Sequence, residues 1–147
     1  MMHFIKLILL FSTLFVLASC GPQLEIQGDM EQSRIILDEE RNLLTFYIRL
    51  ENTSNLSSPN LFAKFELLNE ELVEEFGQET LVFANESQIP EAFKIGANSG
   101  FFIGESFEVE QTFAEEVLTD AVEVVIFDEA GDDITRFPIT NVELETN

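Results

Sequence analysis

From residue 33 onward, apolar positions recur with period two. In Leu44-Thr45-Phe46-Tyr47-Ile48-Arg49-Leu50, the residues Leu44, Phe46, Ile48 and Leu50 fall on one side of an extended chain, and Thr45, Tyr47 and Arg49 on the other. This spacing predicts a half-buried strand. Residues 34–37, separated from it by the polar stretch Asp38-Glu39-Glu40-Arg41-Asn42, predict its hairpin partner. After an Asn, Ser and Pro cluster over residues 52–60, Leu61, Ala63, Phe65 and Leu67 alternate again. Short further strands are expected at residues 72–76, 80–84 and 92–95. Phe107, Val109, Gln111 and Phe113 alternate with Glu108, Glu110 and Thr112, which predicts another. Residues 122–127, apolar except for Glu123, suit a central strand, and a turn containing Gly131 leads to a last strand over residues 134–139. A helix of at most about two turns is the competing reading of residues 114–119. About seven or eight short strands with short connections predict an all-β fold, an antiparallel β-sandwich or barrel. With no Trp in the chain, the Phe residues are expected to supply its aromatic core.

The first twenty residues follow a different pattern. One cation, Lys6, precedes an apolar run over residues 7–17 that is relieved only by Ser12 and Thr13 and ends in Leu17-Ala18-Ser19-Cys20. This is the order of an export signal. The run holds about eleven residues, whereas a helix crossing a hydrocarbon core needs roughly 20. Residues 21–32, mostly polar and containing Pro22 and Gly28, predict a short tether, to which Leu24 and Ile26 could add a first edge strand.

Composition narrows the chemistry. There are 28 Asp or Glu against 7 Lys or Arg, a formal net charge of −21. Phosphate neutralisation needs clustered cations, so nucleic acid is not an expected partner. The one His, His3, and the one Cys, Cys20, both lie in the first twenty residues. Beyond them no Ser-His-Asp or Cys-His arrangement and no histidine zinc site can be assembled. A lone thiol also forms no intramolecular disulfide. Catalysis would rest on carboxylates alone, as in glycoside cleavage. The expectation is a protein that is not an enzyme and carries no cofactor and no metal.

Three segments remain as candidate sites. The acidic turn Asp128-Glu129-Ala130-Gly131-Asp132-Asp133 gathers hard oxygen ligands of the kind Ca²⁺ takes, without EF-hand spacing, and reads first as a solvated hairpin turn. The pairs Glu70-Glu71, Glu74-Glu75 and Glu115-Glu116 read as solvated edges or turns. In Ser99-Gly100-Phe101-Phe102-Ile103-Gly104, three bulky apolar residues sit between glycines. The expectation is a strand covered on both faces; the alternative is a loop whose exposed side chains form a contact patch.

Leu17-Ala18-Ser19-Cys20 resembles the lipobox of bacterial lipoproteins. The resemblance implies that a dedicated peptidase cuts between Ser19 and Cys20 once the Cys20 thiol carries diacylglycerol. Residues 1–19 would then be the signal peptide, residues 20–32 the lipidated Cys20 and its tether, and residues 33–147 the folded domain. Small Ala18 and Ser19 let an extended backbone enter a protease cleft. At about 0.8 kcal/mol per buried CH₂, several acyl chains on Cys20 hold a protein firmly on a bilayer. Gly21 rather than Asp after the anchor points, under the enterobacterial sorting rule, to the outer membrane, with the periplasmic or surface face open. The alternatives are an ordinary secretory signal with an incidental Cys, or an uncleaved helix.

A second resemblance rests on Asn52-Thr53-Ser54, on Phe65-Glu66-Leu67-Leu68-Asn69 and on Ile103-Gly104-Glu105-Ser106-Phe107. These are similar to landmarks of the FxLYD-type Ig-like domains of prokaryotic envelope proteins: an Asn-containing turn, a Phe-x-Leu-Tyr-Asp strand end, and a Pro-Gly-Glu turn introducing a later strand. Leu68 stands for the Tyr, Asn69 for the Asp and Ile103 for the Pro. The match covers about residues 34–140, implies an Ig-like sandwich and carries no catalytic residue over. The chain therefore reads as a lipid-anchored bacterial envelope protein, a non-catalytic binding, adaptor or structural module. Its expected partners are the membrane, through Cys20, and another envelope protein. A Ca²⁺-dependent surface adhesive domain is the alternative, and a carboxylate-pair hydrolase the third reading.

Overall fold

The computed structural model describes residues 21–145; residues 1–19, expected as a signal peptide, and Cys20 lie outside the described residues. Nine strands form two sheets. They are β1 (Ile26–Gly28), β2 (Arg34–Asp38), β3 (Leu43–Asn52), β4 (Leu61–Leu67), β5 (Thr80–Val82), β6 (Ser99–Glu108), β7 (Val122–Asp128), β8 (Asp133–Pro138) and β9 (Asn141–Glu145). Two short helices, α1 (Glu70–Phe76) and α2 (Glu115–Leu118), cover connections.

In the first sheet β3 is central. β1 and β2 lie in tandem along one of its edges, as one first strand broken by a turn, and β6 runs along the other. β9 adds to β2 in parallel. The second sheet has the order β5-β4-β7-β8. If β1/β2 is strand A and β3, β4, β5, β6, β7 and β8 are B, C, C′, E, F and G, the two sheets are A-B-E and C′-C-F-G. This is the order of an Ig-like sandwich without a D strand. The all-β Ig-like fold is therefore as expected, with one parallel pair and more strands than the alternation counted.

Alternation explains the layers. β3 and β4 bury every second residue without exception, and β7 buries Val122, Val124 and Ile126 inward while Val125 is covered on the outside as well. Phe46 of β3 meets Phe65 of β4 edge-on across the core, with ring centroids 5.0 Å apart, and Phe107 of β6 packs against both. The Asn-containing turn is a buried corner. Asn52 donates to the carbonyls of Leu56, Ile95 and Gly96 and accepts from Ser54, so the crossing loops are tied to the end of β3.

Several expectations are corrected. The first edge strand allowed for within residues 21–32 is present as β1, which pairs with residues 50–52; the differences lie further along. Residues 72–76 belong to a helix instead of a strand. Asn69 caps it by accepting from Glu71 N at 2.9 Å, Gly77 ends it at φ 68°, and Leu72, Val73 and Phe76 face the core at helical spacing. Residues 92–95 contribute one isolated bridge, Leu61 to Phe93, rather than a strand. The strand expected over residues 107–113 ends at Glu108. Val109 and Phe113 are buried from an arch whose amides are taken by Asn42 O and the Glu75 carboxylate, so alternation outlasts the ladder. Ile103-Gly104-Glu105 lies in mid-strand, with no turn there. β9 carries too many acids to have stood out.

Candidate binding surfaces

The outer face of the first sheet is built by register. Arg34 lies opposite Tyr47, Tyr47 opposite Gly104, and Arg49 opposite Phe102. The side chains form a ladder: Arg34 lies over the Tyr47 ring at 4.8 Å, Tyr47 meets Phe102 at 5.4 Å, and Arg49 lies over Phe102 at 4.3 Å. Phe102 is 46% exposed, so Ser99–Gly104 is part of a strand, as expected, but only one face of it is covered. A Cβ at Gly100 would collide with the Arg49 guanidinium, and only glycine lets that group lie flat across the edge strand. The arginines are incompletely satisfied. Arg34 Nε stands 3.2 Å from Glu143 Oε2 without the alignment of a hydrogen bond, and Arg49 Nε has no hydrogen-bond partner although Glu51 lies 3.6 Å from its terminal nitrogen. Thr45 and Ser106 add a hydroxyl pair at 2.7 Å beside the rings.

Among the described residues, the edge of the same sheet holds the one carboxylate pushed clearly out of its ordinary range. Along β6, Phe101, Ile103, Glu105 and Phe107 share the inward side, so Glu105 is an acid in an apolar row. It borders a cleft of about 250 Å³ between β6 and the β5 side, lined by Phe76, Leu81 and Phe107 among others. Burial, and then the charge of Glu91, raise its carboxyl above the usual carboxylate value.

The other candidate residues fall elsewhere. Asp128 Oδ1 accepts from Ala130 N and Asp132 N, Gly131 has φ 85°, and Asp133 bonds Arg136 at 2.8 Å. The acidic segment is thus a self-capped hairpin turn. Among the described residues, no group of three or more His, Cys, Asp or Glu is placed to hold a metal ion. Glu70 and Glu71 occupy the first turn of α1, and Glu115 and Glu116 that of α2, where negative charge suits the helix dipole. On the outer face of the second sheet Arg136 binds Asp133, Glu123 and Glu66, which hold it cationic beyond its ordinary value.

The Arg-aromatic ladder and the inward Glu105 were not singled out by sequence reasoning. The signal for Glu105, an acid at apolar parity, becomes visible once β6 is placed at Ser99–Glu108. The ladder depends on a register between residues about fifty apart.

No protein-family model matches the chain, and no curated protein matches it. Two of the solved structures similar to it in outline are the following. One is the alkylpurine DNA glycosylase AlkC of Pseudomonas fluorescens bound to DNA containing an abasic site analog, at 13% identity and a TM-score of 0.42 over 84% of this chain. This chain spans only 31% of that protein's length. The other is a CARDB domain from Pyrococcus furiosus in complex with di-metal ions, at 10% identity and a TM-score of 0.42, covering 84% of this chain and 96% of that one. Likeness at this level carries no activity, ligand or metal over to this chain.

Proposed function

We propose that this protein is a bacterial envelope lipoprotein, anchored through acylated Cys20, whose Ig-like sandwich serves as a non-catalytic binding module for another envelope protein. The observation that carries the reading is Leu17-Ala18-Ser19-Cys20 at the end of a short apolar run, with β1 beginning at Ile26, only a few residues beyond the anchor. The sandwich therefore sits close to the membrane, with the outer-membrane assignment following Gly21. The Asn52 turn and the strand end at Phe65–Leu67, two of the three FxLYD-like landmarks, fit this setting. A binding role is supported by the exposed Phe102 and the arginines stacked beside it, and by a sequence without His or Cys beyond residue 20.

Cys20→Ala tests the anchor. Labelling of cells with an alkyne fatty acid is expected to mark the wild-type chain and not the variant, and the variant is expected to retain its first nineteen residues. Normal processing and membrane attachment of Cys20→Ala would end the lipoprotein reading. A photo-crosslinking amino acid at position 102 tests the module, the expected outcome being a discrete crosslinked protein in intact cells.

A further inference from the structure

The backbone hydrogen bonds fix which way each β6 amide points. Asp29 N donates to Arg49 O and Thr53 N to Glu25 O, so odd-numbered residues of β3 turn their amide groups toward β1 and β2. Even-numbered residues of β3 therefore face β6, where they meet the odd-numbered Ser99, Phe101, Ile103, Glu105 and Phe107. Val109 N donating to Asn42 O continues the same parity. The amide and carbonyl groups of Gly100, Phe102, Gly104, Ser106 and Glu108 consequently point away from the sheet.

No backbone hydrogen bond among the described residues reaches these groups. β6 is the edge where a constant-type Ig sandwich carries its D strand, and here residues 83–98 pass from β5 to β6 without pairing there. A ten-residue edge left open in this way is long, and the acids it carries, the inward-pointing Glu105 above all, turn away strands that bring no cation. Two glycines sit among the five outward positions. Gly100 is required by Arg49, but a Cβ at Gly104 would make only ordinary contact, 4.0 Å from the Tyr47 ring, and its φ is not positive.

We infer that the β6 edge accepts an extended, cationic segment of a partner protein as an added antiparallel strand, in the slot of the missing D strand. This rests on the binding-module reading and names its partner's chemistry. Main-chain hydrogen bonds supply the ladder, and the partner's inward side chains enter the cleft that Phe107 lines, with a Lys or Arg opposite Glu105. Charge selects the occupant. Glu105, Glu108 and Glu91 take part in none of the ion pairs among the described residues, so a cation there meets acids that no base has claimed. A second copy would bring like charges together in a chain of −21.

The test is fluorescence anisotropy with the full chain in non-ionic detergent micelles and a labelled short peptide alternating Val and Lys. The unmodified peptide is expected to bind. The same peptide N-methylated at successive central residues keeps its charge but loses both hydrogen-bonding edges, and is expected to bind at least about tenfold more weakly. Glu105→Gln is expected to weaken binding about tenfold. Gly104→Pro, which removes an outward N–H and leaves the ladder to β3 untouched, is expected to abolish it, while Gly104→Ala retains it. No binding of the unmodified peptide, or equal binding of the N-methylated one, overturns the inference; the latter would mean charge attraction alone. Sedimentation showing a dimer that the peptide does not disperse would assign the edge to a second copy and also overturn it. A position-102 crosslink in cells together with failed peptide binding would keep the module reading and discard this edge.

Discussion

The outer faces of the two sheets use the same ingredients, arginine, aromatic rings and glutamate, and arrive at different surfaces. On the second sheet Arg136 gathers Asp133 and Glu123 at 2.8 Å and Glu66 at 3.2 Å, and Lys64 takes Glu66 at 3.1 Å. Lys64 and Arg136 flank Val125 in register on either side, and Val125 is wholly buried, beside the stacked Phe62 and Phe127. On the first sheet Arg34 and Arg49 lie on the rings of Tyr47 and Phe102 and keep poorly made ion pairs. One face has satisfied its charges and closed over its apolar residues. The other leaves Phe102 open next to guanidinium groups whose donors are not all used, beside an unpaired strand edge. The difference lies in the partners available across the register, since arginine and an aromatic residue occur on both.

Beneath these faces the two sheets are equivalent, and the largest expected effect lies there. Phe46→Ala, from the first sheet, and Phe65→Ala, from the second, are each expected to cost about 3–5 kcal/mol, because both rings are fully buried and each leaves a cavity against the other. Urea unfolding of the full chain in non-ionic detergent measures both. A loss at Phe46 far smaller than at Phe65 would mean that the sheets do not share one core.

Gly100→Ala sharpens the contrast on the first sheet. The added methyl meets the Arg49 guanidinium, which must leave its place on Phe102, and the expected cost is about 0.5–1 kcal/mol, that of an exposed cation–π contact. In the double variant with Arg49→Ala the collision disappears, so the two losses are expected not to add. Strict additivity would show that Arg49 does not lie across the glycine.

The core and most of the strands were legible in the sequence, and the outer-face chemistry was not. β3 and β4 alternate large apolar residues with polar ones, and this requires no knowledge of the partner strand. α1 was misread as a strand because Leu72, Val73 and Phe76 form a short apolar run that either period can claim. The deciding signals, Asn69 before it and Gly77 after it, lie outside the run. Phe107 to Phe113 alternates because an arch can turn every second residue inward as a strand does. The ladder of Arg34, Tyr47, Phe102 and Arg49 joins three strands at a register that hydrogen bonds set, and no local pattern encodes that.

Arg136→Ala probes the satisfied face. It leaves Glu66, Glu123 and Asp133 as neighbouring like charges without their common cation. The variant is expected to melt a few degrees below the wild type in about 10 mM salt and nearly with it in about 0.5 M NaCl, where the screening length is a few ångströms. The wild type itself is expected to melt higher at the higher salt, because a net charge of −21 opposes compaction. A gap between variant and wild type that survives high salt would mean that Arg136 acts by covering Val125 more than by its charge.

The smallest effect belongs to Glu105, at the edge of the open face. Burial and Glu91 raise its carboxyl, so the folded protein holds this proton more readily than the unfolded chain. Its favourable contribution is complete below the ordinary carboxylate range, where both states are protonated, and is lost as pH rises through the raised folded value. Glu105→Gln keeps the shape and removes the charge. Near about pH 3.5 the variant and the wild type are expected to melt together, whereas near about pH 7 the variant is expected to melt slightly higher, by less than Arg136→Ala lowers the melting temperature, since solvent screens a carboxylate at an open cleft. Melting curves across that range measure the difference. A variant that is less stable at neutral pH would show that the Glu105 carboxylate has a cationic partner in the folded protein, and the edge of β6 would then be satisfied from within, as the face carrying Arg136 is.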